Sequence, residues 1–393
     1  MSRTVRGAGL GLVMAVVAWQ PVGAWELSGS VGLEFREFFV GGGERGQPGS
    51  NFSLTMEPEV YHSWAEGSQS LVVTPFLRWD EVDEERSHFD VRELYWQTVG
   101  RDWELSIGWR KVFWGVTESA HLVDVINQTD LVEDPDGEQK LGQPMVQLTL
   151  VRRWGILDFF LLPGFRERTF PGAGGRLGPL IPVDSGRARY VSEDEDDHVD
   201  WAVRWSHSVG AWDLGLSHFS GTSREPRLEL AEGSEELVLV PLYELVDQTG
   251  IDAQGTFGAW LLKLEAISVR GAIEPYERAL GGFEYTFFDL ASSGIDVGCL
   301  LELSADNRQG RPETAFVGTR LTFNDRQGTE LLAGAILSAD HETLLNFEAS
   351  RRLADSWRLN LRVRGFSDIP NETTPLRDVR EDDYFELELV WHF

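Results

Sequence analysis

Tyr384 to Phe393 reads Y-F-E-L-E-L-V-W-H-F, and its alternation decides the fold. Phe385, Leu387, Leu389, Trp391 and Phe393 fall on one side of an extended chain, and Tyr384, Glu386, Glu388, Val390 and His392 on the other. Side chains in a strand have a period of two, so this is a strand with one greasy and one largely polar face. Aromatic residues stand at both ends of the greasy face, and the sequence stops on one. A soluble edge strand alternates similarly but has no reason to end that way.

At the other end, residues 1–24 read as a secretory signal peptide. Arg3 and Arg6 give a positive start, Ala8 to Ala18 a short apolar core, and Val22-Gly23-Ala24 a small-residue cleavage site. The apolar run is too short to span a membrane as a helix, and no later stretch offers about 18 uninterrupted apolar residues. Residues 25–393 then form a single domain, since no linker, low-complexity spacer or break in composition divides them. Glycine (41) and tryptophan (15) are abundant, and the single cysteine, Cys299, excludes an internal disulfide. The net charge is −29, and the leader holds two of the positive charges. So acidic a chain is not a nucleic-acid binder. An acidic outer surface and lumen account for the charge.

Strand-like segments of about ten residues, the length of tilted membrane strands, follow one another to the end. They lie near 26–39, 52–64, 69–80, 88–99, 102–113, 143–153, 155–162, 198–208, 211–220, 237–248, 257–269, 279–289, 294–305, 313–323, 328–339, 342–352, 357–366 and 383–393. Trp103, Leu105, Ile107 and Trp109 share a face, as do Trp357, Leu359, Leu361 and Val363. Segments 88–99 and 237–248 alternate poorly, which predicts a bulge or a misplaced boundary in each. Connections 40–51, 114–142, 163–197, 221–236 and 367–382 are long, and all are odd-numbered. The even-numbered ones are tight, except 249–256. Short turns at one end and long loops at the other are the habit of outer-membrane barrels, and no soluble sandwich obeys this parity. The expected fold is all-β: a transmembrane antiparallel up-and-down β-barrel of about 18 strands, with sixteen as the alternative count. Trp64, Trp79, Trp103, Trp114, Trp154, Trp212, Trp357 and Trp391 lie near segment ends, as an interfacial aromatic girdle requires.

Two stretches resemble known families. The final strand resembles the C-terminal signal strand of Gram-negative outer-membrane barrels. That likeness implies an outer-membrane location among lipid and lipopolysaccharide. It also implies recognition by the barrel-assembly machinery through Phe385, Leu387, Leu389, Trp391 and Phe393. Arg92 to Leu131, with Trp114-Gly115 and Asp124-Val125-Ile126-Asn127, is similar to a family of uncharacterised Gram-negative outer-membrane proteins with a porin-like barrel. Gln128 stands where that family has proline, and the likeness covers about a tenth of the chain.

That family has a porin-like barrel but no assigned substrate, so the resemblance implies the fold more than the function. The first functional expectation is a porin-like channel for passive passage of small polar solutes, narrowed by the third outer loop, 114–142, as in general porins. The alternative is a non-conducting binding or structural barrel, or the outer-membrane partner of an export system. Strand phasing turns Arg78, Arg110, Arg204, Arg320, Arg358, Arg362 and Arg364 inward, opposite loop acids that include Glu118, Asp124 and Asp130. Acids facing a basic wall set a transverse field that sorts solutes by charge. Asp124 and Asp130 are expected closest to Arg78 and Arg110, with a short helix over 118–125 capped by Thr117. An ordinary solvated loop is the plain alternative. In the last hairpin, Arg364–Glu386 and Arg362–Glu388 are the expected cross-strand pairs.

No cofactor or metal site is implied. Asp134-x-Asp136-Gly137 lacks a calcium loop's flanking acids, since Val132 and Gln143 occupy those places. The acidic run 193–198 reads as a solvated tip. Ser206-His207 and Ser217-His218 are the nearest approach to a hydrolase pair, and His207 shares the lipid-facing phase of Trp205, so no catalytic residues are assigned.

Overall fold

A computed structural model describes residues 25–43, 45–231, 237–271, 274–369 and 377–393. The leader read at 1–24 lies outside the described residues. The strands in chain order are β1 (Trp25–Phe38), β2 (Ser50–Trp64), β3 (Gln69–Asp80), β4 (His88–Val99), β5 (Trp103–Arg110), β6 (Gln143–Arg152) and β7 (Gly155–Pro163). Next come β8 (Arg189–Tyr190), β9 (Val199–Val209), β10 (Trp212–Thr222), β11 (Arg227–Leu230), β12 (Leu239–Tyr243), β13 (Leu245–Phe257) and β14 (Trp260–Arg270). The last are β15 (Tyr276–Phe287), β16 (Asp296–Asp306), β17 (Thr314–Thr322), β18 (Glu330–Ser338), β19 (Thr343–Ala354), β20 (Trp357–Ser367) and β21 (Tyr384–His392).

All but β8, β11 and β12 join one 18-stranded antiparallel sheet. It closes because β1 pairs with both β2 and β21. Closure leaves no unpaired edge, which a membrane does not tolerate. The longest connections, 39–49, 111–142, 164–198, 223–244 and 368–383, are all odd-numbered, whereas the odd-numbered 271–275 and 339–342 are short. At the opposite end 153–154, 210–211, 258–259 and 355–356 are two-residue turns. Connections 288–295 and 323–329 are looser than the tight turns expected there.

The two poorly alternating segments resolve differently. Pro75 in β3 has no N–H to give, and the β3–β4 register shifts there: Thr74 faces Glu93 while Pro75 faces Val91. Arg92 is the extra residue of this bulge. In 237–248 the boundary was wrong. Leu239–Tyr243 belongs to a small sheet of β8, β11 and β12, and the wall strand is Leu245–Phe257, spanning the supposed loop 249–256. That strand hid from the alternation because Asp247, Thr249 and Ala253 stand on the same face as Ile251, where a greasy run is expected.

Leu27, Trp103, Trp154, Trp212, Trp260 and Trp357 are among the large apolar residues left exposed on the outer wall. The last five adjoin short turns and form a belt at that end. Trp114 does not join it. It is 5% exposed, inside the barrel.

Candidate functional site

Residues 111–142 fold into the lumen and touch opposite walls by different chemistry. On one side, Trp114, Leu122, Val123, Val125 and Ile126 form a buried cluster with inward residues of the wall, among them Met145, Phe160, Phe219, Ile267 and Leu280. Apolar side chains on the inner face of β6 to β15 therefore meet apolar side chains of the segment and exclude water from both.

Two wall carboxylates complete this attachment. Glu265 of β14 is wholly buried and accepts from Val116 N (2.6 Å), Thr117 N (3.0 Å), Thr117 Oγ1 (2.7 Å) and Val123 N (3.2 Å). Glu302 of β16 accepts from Glu118 N (2.8 Å), Ser119 N (2.8 Å) and Ser119 Oγ (2.7 Å). Val123 N, which a helix would pair with Ser119 O, goes to Glu265 instead, and the helix expected over 118–125 is absent. Gly115 has φ +148°, and a Cβ there would lie 2.8 Å from His121 Nδ1 and 3.1 Å from Glu265 Oε1. Only glycine lets the backbone pass so near the carboxylate.

The residues that carried the family likeness brace the segment. Asp124 accepts from Trp114 N (3.2 Å). Asn127, wholly buried, accepts from Val112 N (2.9 Å) and donates to Arg110 O (2.9 Å) and Leu141 O (2.8 Å), tying the two ends of the segment together.

The other side is ionic. Arg78 grips Glu133 through Nε and Nη2 (2.9, 3.0 and 2.7 Å) and reaches Glu34 (2.9 Å). Arg86 pairs with Glu34 and Asp80 and donates to Val132 O (2.9 Å). Arg36 pairs with Glu386 (2.6 Å). All these side chains are buried. Farther along the segment, Asp134 meets Arg362 (2.7 Å), Asp136 meets Arg364 (3.0 Å), and Glu118 meets Arg320 (2.8 Å) and Lys263 (3.5 Å). A cavity of about 260 Å³ remains on this side, lined by Glu118, Arg320, Glu348, Asn360, Arg362 and Glu386, among others.

Several expected partners are exchanged. Asp130 pairs with Arg92 (2.6 Å), not with Arg78 or Arg110. Asp124 pairs with Lys140 (3.3 Å). Arg110 donates to Ser106 and Gln147 and stacks over Tyr95. Arg204 binds Asp252 with both terminal nitrogens, and Arg358 stands exposed opposite Arg352, away from the segment. In the last hairpin Arg362 faces Glu386 and Asn360 faces Glu388, two residues from the expected register. An even offset preserves which face is inward, so Arg362–Glu386 still closes at 2.7 Å. Arg364 takes Glu348 (2.8 Å) instead.

Sequence reading missed Arg92, Glu265 and Glu302, and counted Glu133 among the loop acids without assigning it a partner. The bulge gave Arg92 the wrong phase. Glu265 sits at an inward position of an alternating segment, but nothing local shows that loop amides converge on it.

Two groups of the segment hold their protons more tightly than usual. Desolvation in the lumen, then the Asp134 carboxylate, pushes the Asp136 carboxyl up to about 7. Burial pulls His121 down, but the Glu138 hydrogen bond and charge outweigh it and the net shift is upward. His88, Asp130 and Glu133 bring ligand atoms within 4.8 Å of one another. Arg92 and Arg78 already neutralise the two carboxylates, which disfavours a cation there. Ser217 is buried and donates toward Gly250 O, whereas the neighbouring His218 faces outward and meets Thr249. Nucleophile and base lie on opposite faces of the wall.

No family model matches this chain, and no curated protein does. Solved structures do. Wzi of Escherichia coli, described as an outer-membrane protein involved in group 1 capsule assembly and a carbohydrate-binding β-barrel, superposes with a TM-score of 0.54 at 11% identity. The match covers 93% of this chain and 84% of Wzi. The fold is that of an outer-membrane β-barrel. An engineered variant of the Rh. blastica porin matches with a TM-score of 0.47 at 12% identity, over 94% of this chain and all of the porin. At such identities a shared fold says nothing about solutes, which belong to the site.

Proposed function

We propose that the protein is a porin-like channel in the outer membrane of a Gram-negative bacterium, passing small polar solutes through a lumen narrowed by residues 111–142. One observation carries this. The segment crosses the lumen yet leaves a cavity of about 260 Å³ on its charged side, where Glu118 of the loop faces Arg320 and Arg362 also lines the space. An 18-strand barrel is wide enough for an aqueous path unless something fills it. The fill here is uneven: dry and apolar on one side, charged on the other. Planar-bilayer recording of the purified protein tests the reading. Deleting 118–138 should raise single-channel conductance, and a folded deletion with unchanged conductance would place the constriction elsewhere.

A second reading has its own support. Each loop acid facing Arg320, Arg362 and Arg364 is paired, which ties the segment across the lumen to the wall. A barrel that binds rather than conducts would give no current, and carbohydrate, the ligand class in Wzi's description, is then the first to try by calorimetry. Lipid, lipopolysaccharide and the assembly machinery remain the proposed partners. The terminal aromatic is the proposed handle for that machinery, and removing Phe393 should lower the heat-modifiable, folded fraction in the outer membrane.

A further inference from the structure

Within 111–142 one short stretch is held differently from the rest. Residues 128–130 and 139–141 pair as a small stem: Asp130 N donates to Gln139 O and Leu141 N to Gln128 O, each at 2.8 Å. On one flank of its tip, Glu133 is locked by Arg78. Beyond Glu133 the contacts change. Asp134-Pro135-Asp136-Gly137-Glu138 contributes nothing to the apolar cluster and reaches its surroundings through charges alone: Asp134–Arg362, Asp136–Arg364 and Glu138–His121 (3.2 Å). Gly137 has φ +83°, a turn conformation suited to a sharp tip.

Resting on the channel reading, we propose that residues 134–138 are a latch, which swings out between the Arg78–Glu133 clamp and the 128–130/139–141 stem and so opens the lumen beside β20 and β21.

The arginines the latch leaves behind are not stranded. Arg362 keeps Glu386 (2.7 Å) and Arg364 keeps Glu348 (2.8 Å), both on the wall. Removing one partner of a buried pair is expensive because a lone charge remains. Here each guanidinium retains a carboxylate, and Arg362 is itself 30% exposed, so release is cheap. The fixed part of the segment has no such exit. Moving it would leave Glu265 and Glu302 buried without their donors.

Two titrating groups give the latch a pH dependence of one sign. Asp136 faces Arg362 and Arg364 on β20 and Asp134 beside it; Arg364 in turn faces Glu348 on β19 and Tyr384 on β21, and Arg362 faces Glu386 on β21. Its carboxyl is raised in the latched state, so latching takes up a proton and is favoured below about 7. His121 faces Glu138 and Asp124 on the segment and Glu265 on β14. Its pKa is also raised, so its charged tie to Glu138 holds at low pH and is lost as pH rises through the raised value. Both groups release the latch as pH climbs through neutrality. For each group, every unit by which its pKa differs between the two states changes the released-to-latched ratio by up to about tenfold.

The test uses the full chain with Cys299→Ser, carrying spin labels at Pro135→Cys on the tip and Asp340→Cys on the 339–342 connection, and reads distance and single-channel current together. The tip-to-wall distance and the conductance should both change between pH 5 and pH 8. Asp136→Asn, which stays neutral, should remain latched at pH 8. Asp134→Arg with Asp136→Arg should be released at pH 5. Heat-modifiable mobility verifies that each variant has folded. A distance insensitive to pH and to the double reversal, in a protein that conducts, overturns the latch and leaves the channel. A distance that moves while no variant conducts overturns the channel reading, and with it the opening assigned to the latch.

Discussion

The two sides of the lumen hold one segment by opposite means. Against β6 to β16 it is held by buried hydrocarbon and by two carboxylates that each collect more than one N–H group. Against β3, β4, β17 and β20 it is held by guanidinium–carboxylate pairs. The apolar side gives adhesion without direction, and its dense packing leaves no route for water. The ionic side is directional and can exchange partners, so solute and motion belong there. The ionic side is itself graded. The cluster around Arg78 is buried, while Arg362 lines the cavity and Asp136, the loop partner of Arg364, is exposed.

The comparison breaks first at Arg78. Arg78→Ala leaves Glu133 without its guanidinium in a buried setting, while Glu34 keeps Arg86, and should cost about 3–5 kcal/mol, read by denaturant unfolding in detergent. A loss below about 1 kcal/mol would mean that water reaches the cluster and that it belongs with the cavity pairs.

On the apolar side, Ile126→Ala removes a fully buried side chain and should cost about 2–4 kcal/mol in the same assay. A small loss would show that the carboxylates, not the packing, anchor the segment. Glu265→Gln separates the two contributions. It keeps one acceptor oxygen but turns an NH2 group toward amides that need an acceptor, which should cost about 1–3 kcal/mol. Limited proteolysis within 111–142 should accelerate in this variant and remain unchanged in Arg358→Gln, whose side chain lies away from the segment.

The smallest effect sharpens the contrast within the ionic side. A double-mutant cycle between Asp136 and Arg364 should give a coupling of about 0.2–1 kcal/mol, the range of water-accessible pairs. A coupling comparable to the Arg78–Glu133 pair would remove the distinction on which a mobile tip depends.

The barrel was legible in the sequence because its signal repeats. Each wall strand alternates, each turn marks an end, and eighteen weak signals agree on one parity. Where a proline inserted a bulge at Arg92, or polar residues such as Asp247 faced outward, the local signal failed and so did the boundary. The site was legible only as an inventory. Loop acids and inward arginines could be named because phase determines which way a strand residue points. Their partners could not, because pairing across a lumen depends on how far the loop reaches and on register between strands distant in sequence. Asp130 meets Arg92 through the bulge, and Arg362 meets Glu386 through a register two residues from the expected one. Glu265 and Glu302 read as ordinary inward residues until the loop amides arrive over them. The sequence by itself determined a closed wall of alternating strands, since a period of two is a local property of the chain. Only the tertiary structure decided what fills that wall, because a buried charge takes whichever partner the folded chain brings within hydrogen-bonding distance.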